Sequence, residues 1–453
     1  AEQLDENFKS QVALSLPSAE EQLVSDVVLV LDKSTSTGLK EQALEMLQNL
    51  KKEVQEKGAK VKVGVVLFNK EAHTDGFMDL ETQYEAIEAA ICQEIKSGTN
   101  LHAGILAGKS MLDQDTGVAD ERKTLVVVSD GITYMFNENP TAVAWGFMAD
   151  SPKHFAGPDN WKSKYGNNQA PTDWNAWLTG IGARLSEQKD THDYPYGTEP
   201  DASLITPVEE AGNYVNSIDK ALYLSYEAYA QAASEGYHCY AMPITPPGTA
   251  SNYEWGMSFM RYLANGKQVS FDSIKNDILY AVDKGSVVKD YMGYVKEDYD
   301  FDFDHLDQLT VGGKALSMYQ EGNTWYFGDG EPGPQNYRFK VVYDAGNKAE
   351  TEMFTWYIEE PVSNFAPVQL TYTVKLVNPK NNPGESYGRY DEDGSEEYDG
   401  LYTNQKAVLH PVGSDQEKGK TEVFSKPTVS YTIPGGELPT IPEGGTSKSK
   451  TAE

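Results

Sequence analysis

Three stretches constrain this chain most: "VVLVLD" at residues 27–32, "VKVGVVLF" at 61–68 and "TLVVVSD" at 124–130. Each is apolar at almost every position, so a strand built from it has no face to give to water. Such strands belong to parallel sheets, whose crossover connections lay helices over both sides. The intervening sequence supplies the helices. In "LKEQALEMLQNLKKEVQEKG" the residues Leu39, Ala43, Met46, Leu47 and Leu50 recur at helical spacing, and "QYEAIEAAICQEI" and "LHAGILAGKSMLDQ" read as helices too. A further strand, "YHCYAMPI", follows helical "KALYLSYEAYAQAASEG" and precedes helical "NYEWGMSFMRYLAN" and "FDSIKNDILYAV". The expectation is a doubly wound, Rossmann-like α/β domain over residues 23–285.

Its spacing is uneven in one place. Between "VVVSDGITY" and "KALYLSYEAYA" lies far more chain than a strand-to-helix loop needs, so residues 135–218 read as an insertion. Its tryptophans, Trp145, Trp161, Trp174 and Trp177, either line a ligand surface or form the core of a small subdomain. From residue 286 the helical period gives way to short alternating runs such as "YRFKVVYD", "TEMFTWYI" and "LTYTVKLVN", broken by turn signals. These read as β-sandwiches over 286–365 and 366–435, with "FAPVQ" as the seam and a Pro/Gly/Ser-rich linker over 436–453. Residues 1–22 are expected to add a β segment to the sandwich that follows the α/β domain.

The 453 residues carry a formal net charge of -31, which argues against nucleic acid as a partner because phosphate binding needs a basic face. Cations suit such a surface. No run of 18 apolar residues exists, so no transmembrane helix is expected. The start at Ala1 fits either a secreted protein after signal removal or a trimmed chain. Cys92 and Cys239 are the only cysteines and are expected to be plain buried residues, and no CxxC or HExxH pattern suggests zinc.

In a doubly wound sheet, ligands bind beyond the carboxyl ends of the strands where the strand order reverses. Asp32 closes the first apolar strand and Asp130 closes "TLVVVSD", so two carboxylates should face one crevice. They repel each other unless a cation lies between them. Ser34 and Ser36 follow Asp32 at alternate positions, and Thr99 in "SGTN" opens a helix at the same edge. Oxygen donors of low total charge suit a hard divalent cation: Mg²⁺ first, with Mn²⁺ or Ca²⁺ as alternatives. Neutral hydroxyls leave such a cation short of negative charge, so it favours a carboxylate from a partner.

Asp32-x-Ser34-x-Ser36, Thr99 and Asp130, in this order and on these elements, resemble the metal ion-dependent adhesion site of von Willebrand factor type A domains. With its insertion and with β-sandwiches of immunoglobulin-like or Cna-like type around it, the chain resembles the adhesive tip subunits of Gram-positive pili and related surface proteins. The resemblance implies an extracellular protein of the bacterial surface or cell wall. Its partner would be a protein bearing an acidic side chain: a host or matrix protein, or another surface subunit if the role is structural. No nucleophile and base pair supports an enzyme. The anchor of such proteins is not visible, since "ELPTIPEGG" departs from a Leu-Pro-x-Thr-Gly sorting signal.

Other motifs read as structure. "AGILAGKS", at 103–110, matches a relaxed phosphate loop but follows no strand and reads as helix. "DTG" at Asp115 has no second copy with which to share a proton and reads as a loop. "YDEDGSEEYDG", at 390–400, lacks the EF-hand Gly and Glu and reads as a solvated turn. His238 falls within a strand. Lys375 is a candidate for an isopeptide crosslink, but the closing strand "PTVSYTI" has no Asn, and no crosslink is expected.

Overall fold

The computed structural model describes residues 1–17, 24–33, 35, 37–55, 59–96, 98–143, 169–188, 192–198, 215–244, 254–388 and 400–435. The chain forms two units, Glu21–Leu279 and the combination of Ala1–Glu20 with Tyr280–Glu453.

The first unit is built on a five-stranded sheet. Strands β2 (Val24–Asp32), β3 (Lys60–Phe68) and β5 (Lys123–Ser129) are the three apolar runs, and from Val63 to Phe68 and throughout β5 every residue is buried. The order is Ala72–Asp79, β3, β2, β5 and then His238–Pro243, with β2 parallel to both β3 and β5. Helices α1 (Thr37–Gln55), α2 (Tyr84–Cys92) and α3 (Leu101–Gln114) come from the expected periodic segments. Ala43, Met46, Leu47 and Leu50 of α1 are all buried. Strand β4 (Ala72–Asp79) is not foreshadowed in the sequence. It pairs antiparallel with β3 at the sheet edge, where only one side needs apolar residues, so His73 and Asp75 are tolerated.

The glycines of "AGILAGKS" have a packing role. A Cβ on Gly104 would meet Phe68 Cδ1 at 2.7 Å, and one on Gly108 would meet Val30 Cγ2 at 2.7 Å. They let α3 lie close on β2 and β3. Asp115 ends α3 and pairs with Lys62, and His238 places Nε2 2.9 Å from the Glu121 carbonyl oxygen.

Within the insertion, Thr141–Val143 pairs with Asp193–Pro195, and a helix runs over Trp174–Glu187. Trp174 is a core residue of the whole unit. Its ring packs edge-on against Trp177, Trp255 and Phe259, and its Nε1–H donates to Ser258 Oγ at 3.0 Å. Trp145 and Trp161 lie outside the described residues. Truncating Trp174 to Ala should remove about 3–5 kcal/mol from the stability of this unit in urea unfolding; a loss below about 1 kcal/mol would show that the insertion helix is not part of the core.

One cysteine expectation is corrected. Cys92 is exposed, because it closes α2 beside the polar run "QEIKSG". Cys239 is half-buried, and burial pushes its thiol up to about 12. Both are free thiols.

The second unit is a β-sandwich. One sheet has the order β1 (Lys9–Leu16), Val368–Val377, Tyr299–Val311, Tyr294–Val295, and β1 is paired from Lys9↔Lys375 to Leu16↔Val368. The other has seven strands: Ser317–Glu321, Thr324–Gly328, Phe339–Asp344, Met353–Ile358, Val287–Met292, Asn404–His410 and Glu422–Val423. Phe301, Leu309, Leu370 and Val374 share one buried core with Phe327, Phe339, Trp356 and Leu409. The seam expected at residue 366 does not divide this region, since strands from both sides of it share one core. "YDEDGSEEYDG" lies outside the described residues up to Gly400.

Candidate metal-binding site

From β2 the chain passes through α1 to β3 and β4 on one side, then crosses to β5 on the other. The strand order therefore reverses between β2 and β5. Their register runs from Asp26↔Lys123 to Leu31↔Val128, which brings Asp32 level with Ser129. The Ser129 hydroxyl donates to Asp32 Oδ2 at 2.8 Å, and Asp130 is the next residue. Asp32 is 1% exposed, Asp130 7% and Ser129 fully buried.

The loop after β5 is held tightly. The Gly131 N–H donates to Ser129 Oγ at 3.1 Å, and the Ile132 N–H donates to Asp130 Oδ1 at 2.9 Å. Gly131 has a left-handed φ of 73° and lies against the backbone of Gly256, in the helix Glu254–Leu263.

Thr99 reaches the same edge by a different route. Its neighbour Asn100 caps α3 by accepting from the Ala103 N–H at 3.0 Å. The Asn100 amide also donates to the Lys70 carbonyl at 3.0 Å and to the Asn137 carbonyl at 2.9 Å, and its backbone N–H donates to Asn69 at 2.6 Å. These bonds clamp the segment between the end of β3 and the loop after β5. Thr99 is 5% exposed, and its hydroxyl accepts from Lys33 Nζ at 3.1 Å, so it is tied to the residue that follows Asp32. Tyr134 backs the segment: burial holds its phenol above its ordinary pKa, and the Thr99 backbone hydrogen-bonds it.

The structure thus bonds Asp32 to Ser129, the residue before Asp130, and bonds Thr99 to Lys33, the residue after Asp32. Ser34 and Ser36 lie outside the described residues. Among the described residues no group of three or more His, Cys, Asp or Glu side chains converges to hold a metal, so the described donors here are two carboxylates and one hydroxyl. All three are oxygens and all are more than nine-tenths buried, a set that fits a hard divalent cation and not a soft one. Sequence reasoning passed over Ser129, Asn100 and Lys33. The sign for Ser129 was its place: it directly precedes Asp130 on a strand expected to adjoin β2.

Residues 26–145 match the family model of the von Willebrand factor type A domain. No curated protein matches the sequence. Among solved structures, the chain is similar to the pilus adhesin SpaC of Lactobacillus rhamnosus GG in its open conformation, at 13% identity and a TM-score of 0.33, covering 94% of this chain and 46% of SpaC. It is similar also to three N-terminal domains of the type V pili tip protein Mfa5 of Porphyromonas gingivalis, at 14% identity and a TM-score of 0.34, covering 93% of this chain and 77% of that one. For the PilB minor pilin of Streptococcus sanguinis the values are 16%, 0.33, 58% and 62%. The chain therefore spans about half the length of SpaC. The match over residues 26–145, which supply four of the five strands of the sheet, identifies a von Willebrand factor type A domain in the α/β unit.

Proposed function

We propose that this chain is an extracellular adhesive protein of a bacterial surface, whose type A domain binds a protein ligand through a divalent cation. Asp32, Ser34, Ser36, Thr99 and Asp130 would hold the cation, Mg²⁺ first and Mn²⁺ or Ca²⁺ as alternatives. The observation that carries the reading is the pair of buried carboxylates at the strand reversal, joined through Ser129. A bound cation would supply an electrophilic point at the crevice. The chain's own residues set the rest. Asp32 and Asp130 contribute two negative charges, which formally balance the cation, and the neutral hydroxyls bring the chain's ligands to five, so an octahedral cation would keep one position for an acidic side chain of the ligand. Ser129 orients Asp32, and the Asn100 clamp fixes Thr99. This is recognition and not catalysis.

Calorimetric titration with Mg²⁺, Mn²⁺ and Ca²⁺, alongside thermal unfolding, tests it. A cation present at 100 times its Kd should stabilise the folded state by about 2.7 kcal/mol, because it binds only that state. Ser129→Ala should weaken binding roughly 10–100-fold, the usual effect of losing a group that orients a metal ligand. Asp130→Ala should remove the isotherm and the rise in Tm together. Wild-type protein that answers to none of the three cations refutes the site.

A further inference from the structure

The outer face of the seven-stranded sheet carries a row of side chains that the core does not explain. Register sets Tyr319 beside Tyr326, Tyr326 beside Lys340, Lys340 beside Tyr357, Tyr357 beside Val287 and Val287 beside His410. Their strand neighbours Trp325, Phe327, Val341, Trp356, Val288 and Leu409 are buried in the core, so this row points the other way. Tyr319 is 44% exposed. Lys340 Nζ lies 4.6 Å from the ring centroid of Tyr357 and 5.6 Å from that of Tyr337. One row over, Lys289 stands between Thr355 and Val408, and Lys406 Nζ sits 5.1 Å from the Tyr291 ring.

Two features set this face apart. The chain has 69 acidic against 38 basic side chains, yet three ammonium groups gather here and none of them is ion-paired among the described residues. Among the described residues, Glu321 ends the row that contains Lys289 and Asp344 stands in the row of Tyr291 and Lys406, while on the other side Glu359 adjoins Arg338, whose guanidinium is paired with Asp329 and Glu360. Tyrosines that combine apolar area with a hydroxyl are the residues that interfaces favour. Six strands at about 4.8 Å spacing give a row roughly 24 Å long, room for about eight residues of an extended chain at about 3.1 Å each.

We propose that the outer face of this sheet, centred on Tyr326, Lys340 and Tyr357, docks an acidic, extended segment of a partner polypeptide. Charge complementarity argues for the acidic partner, and the flat Tyr row argues for an extended one. The overall negative charge of the protein does not forbid it. At 0.15 M salt the Debye length is about 8 Å, so the local ammonium groups dominate what a docked segment meets.

The test uses the whole chain and a fluorescein-labelled peptide of six Glu-Pro repeats, which is acidic and extended, read by anisotropy at 0.15 M salt. A Gln-Pro peptide is the uncharged control. Saturable binding is expected that weakens at least tenfold for the Gln-Pro peptide, for Lys289→Glu/Lys340→Glu/Lys406→Glu, and for Tyr326→Ala/Tyr357→Ala. All five positions are at least partly exposed, and unchanged Tm values confirm folding. Undiminished binding by the charge-reversed variant overturns the proposal. So does preference for heparin, which would mark a polysaccharide surface, or a concentration-dependent dimer that the same substitutions dissolve, which would mark a self-interface.

Discussion

Replacing Gly131 with Ala should unfold the site more effectively than removing any one of its ligands. A Cβ at this position would lie 2.1 Å from the Gly256 carbonyl oxygen and 2.5 Å from its carbon, and both are backbone atoms that no rotamer change can move. The φ of 73° adds the strain that any side chain meets in the left-handed region. Left-handed strain of roughly 1–3 kcal/mol and overpacking of roughly 1–3 kcal/mol act together, so a loss of about 3–5 kcal/mol is expected in denaturant unfolding of the type A unit. The strain falls where Ser129 Oγ accepts the Gly131 N–H, next to Asp130. Cation-induced stabilisation should therefore vanish with it. Ala at Gly180, where a Cβ meets nothing within 4 Å, is the matched control and should cost little. A Gly131→Ala protein with the wild-type midpoint would mean that helix Glu254–Leu263 does not press on the site loop.

The parts of this molecule that could be read in advance share a physical cause. β2, β3 and β5 are buried on both faces, so burial wrote itself into every position, and the carboxylates that break the pattern at Asp32 and Asp130 stood out. β4 was invisible because an edge strand needs no continuous apolar run. Ser129 was hidden because a buried Ser in "VVVSD" looks like part of the strand, and its role depends on a neighbour 97 residues away. Residue 366 looked like a boundary because turn-rich sequence flanks it. The long-range pairing of β1 and Tyr299–Val311 with Val368–Val377 is set by which faces bury together, and alternation alone does not carry that information. The isopeptide candidate Lys375 is exposed on that strand, paired across to Lys9 and Asp302, while the polar chemistry of the sandwich interior lies elsewhere.

That interior chemistry gives the sandwich a dependence on pH. Asp290, Tyr372 and Asn404 form a buried triad that joins the two sheets. Tyr372 Oη donates to Asp290 Oδ2 at 2.5 Å, and Asn404 Nδ2 donates to Asp290 Oδ1 at 2.6 Å. No cation pairs with the carboxyl among the described residues, and burial outweighs both hydrogen bonds, pushing Asp290 up to about 7 from 3.8. The folded protein then keeps a proton between about pH 4 and pH 7 that the unfolded chain releases. Stability contributed by Asp290 is full below the unfolded value and is lost as pH rises through the folded one, by about 4 kcal/mol in all at about 1.4 kcal/mol per pH unit. Glu352, buried against Tyr343 and the Phe303 N–H, is raised to about 7 and acts in the same direction. So does the mutual repulsion of a chain with net charge -31, and the isosteric Asp290→Asn separates Asp290 from both. The variant should lie within about 1 kcal/mol of wild type at pH 4.5, where both side chains are neutral, and should exceed it by several kcal/mol at pH 8. Parallel stability curves for the two proteins from pH 4 to pH 8 would mean that the buried carboxyl is compensated in a way this triad does not supply.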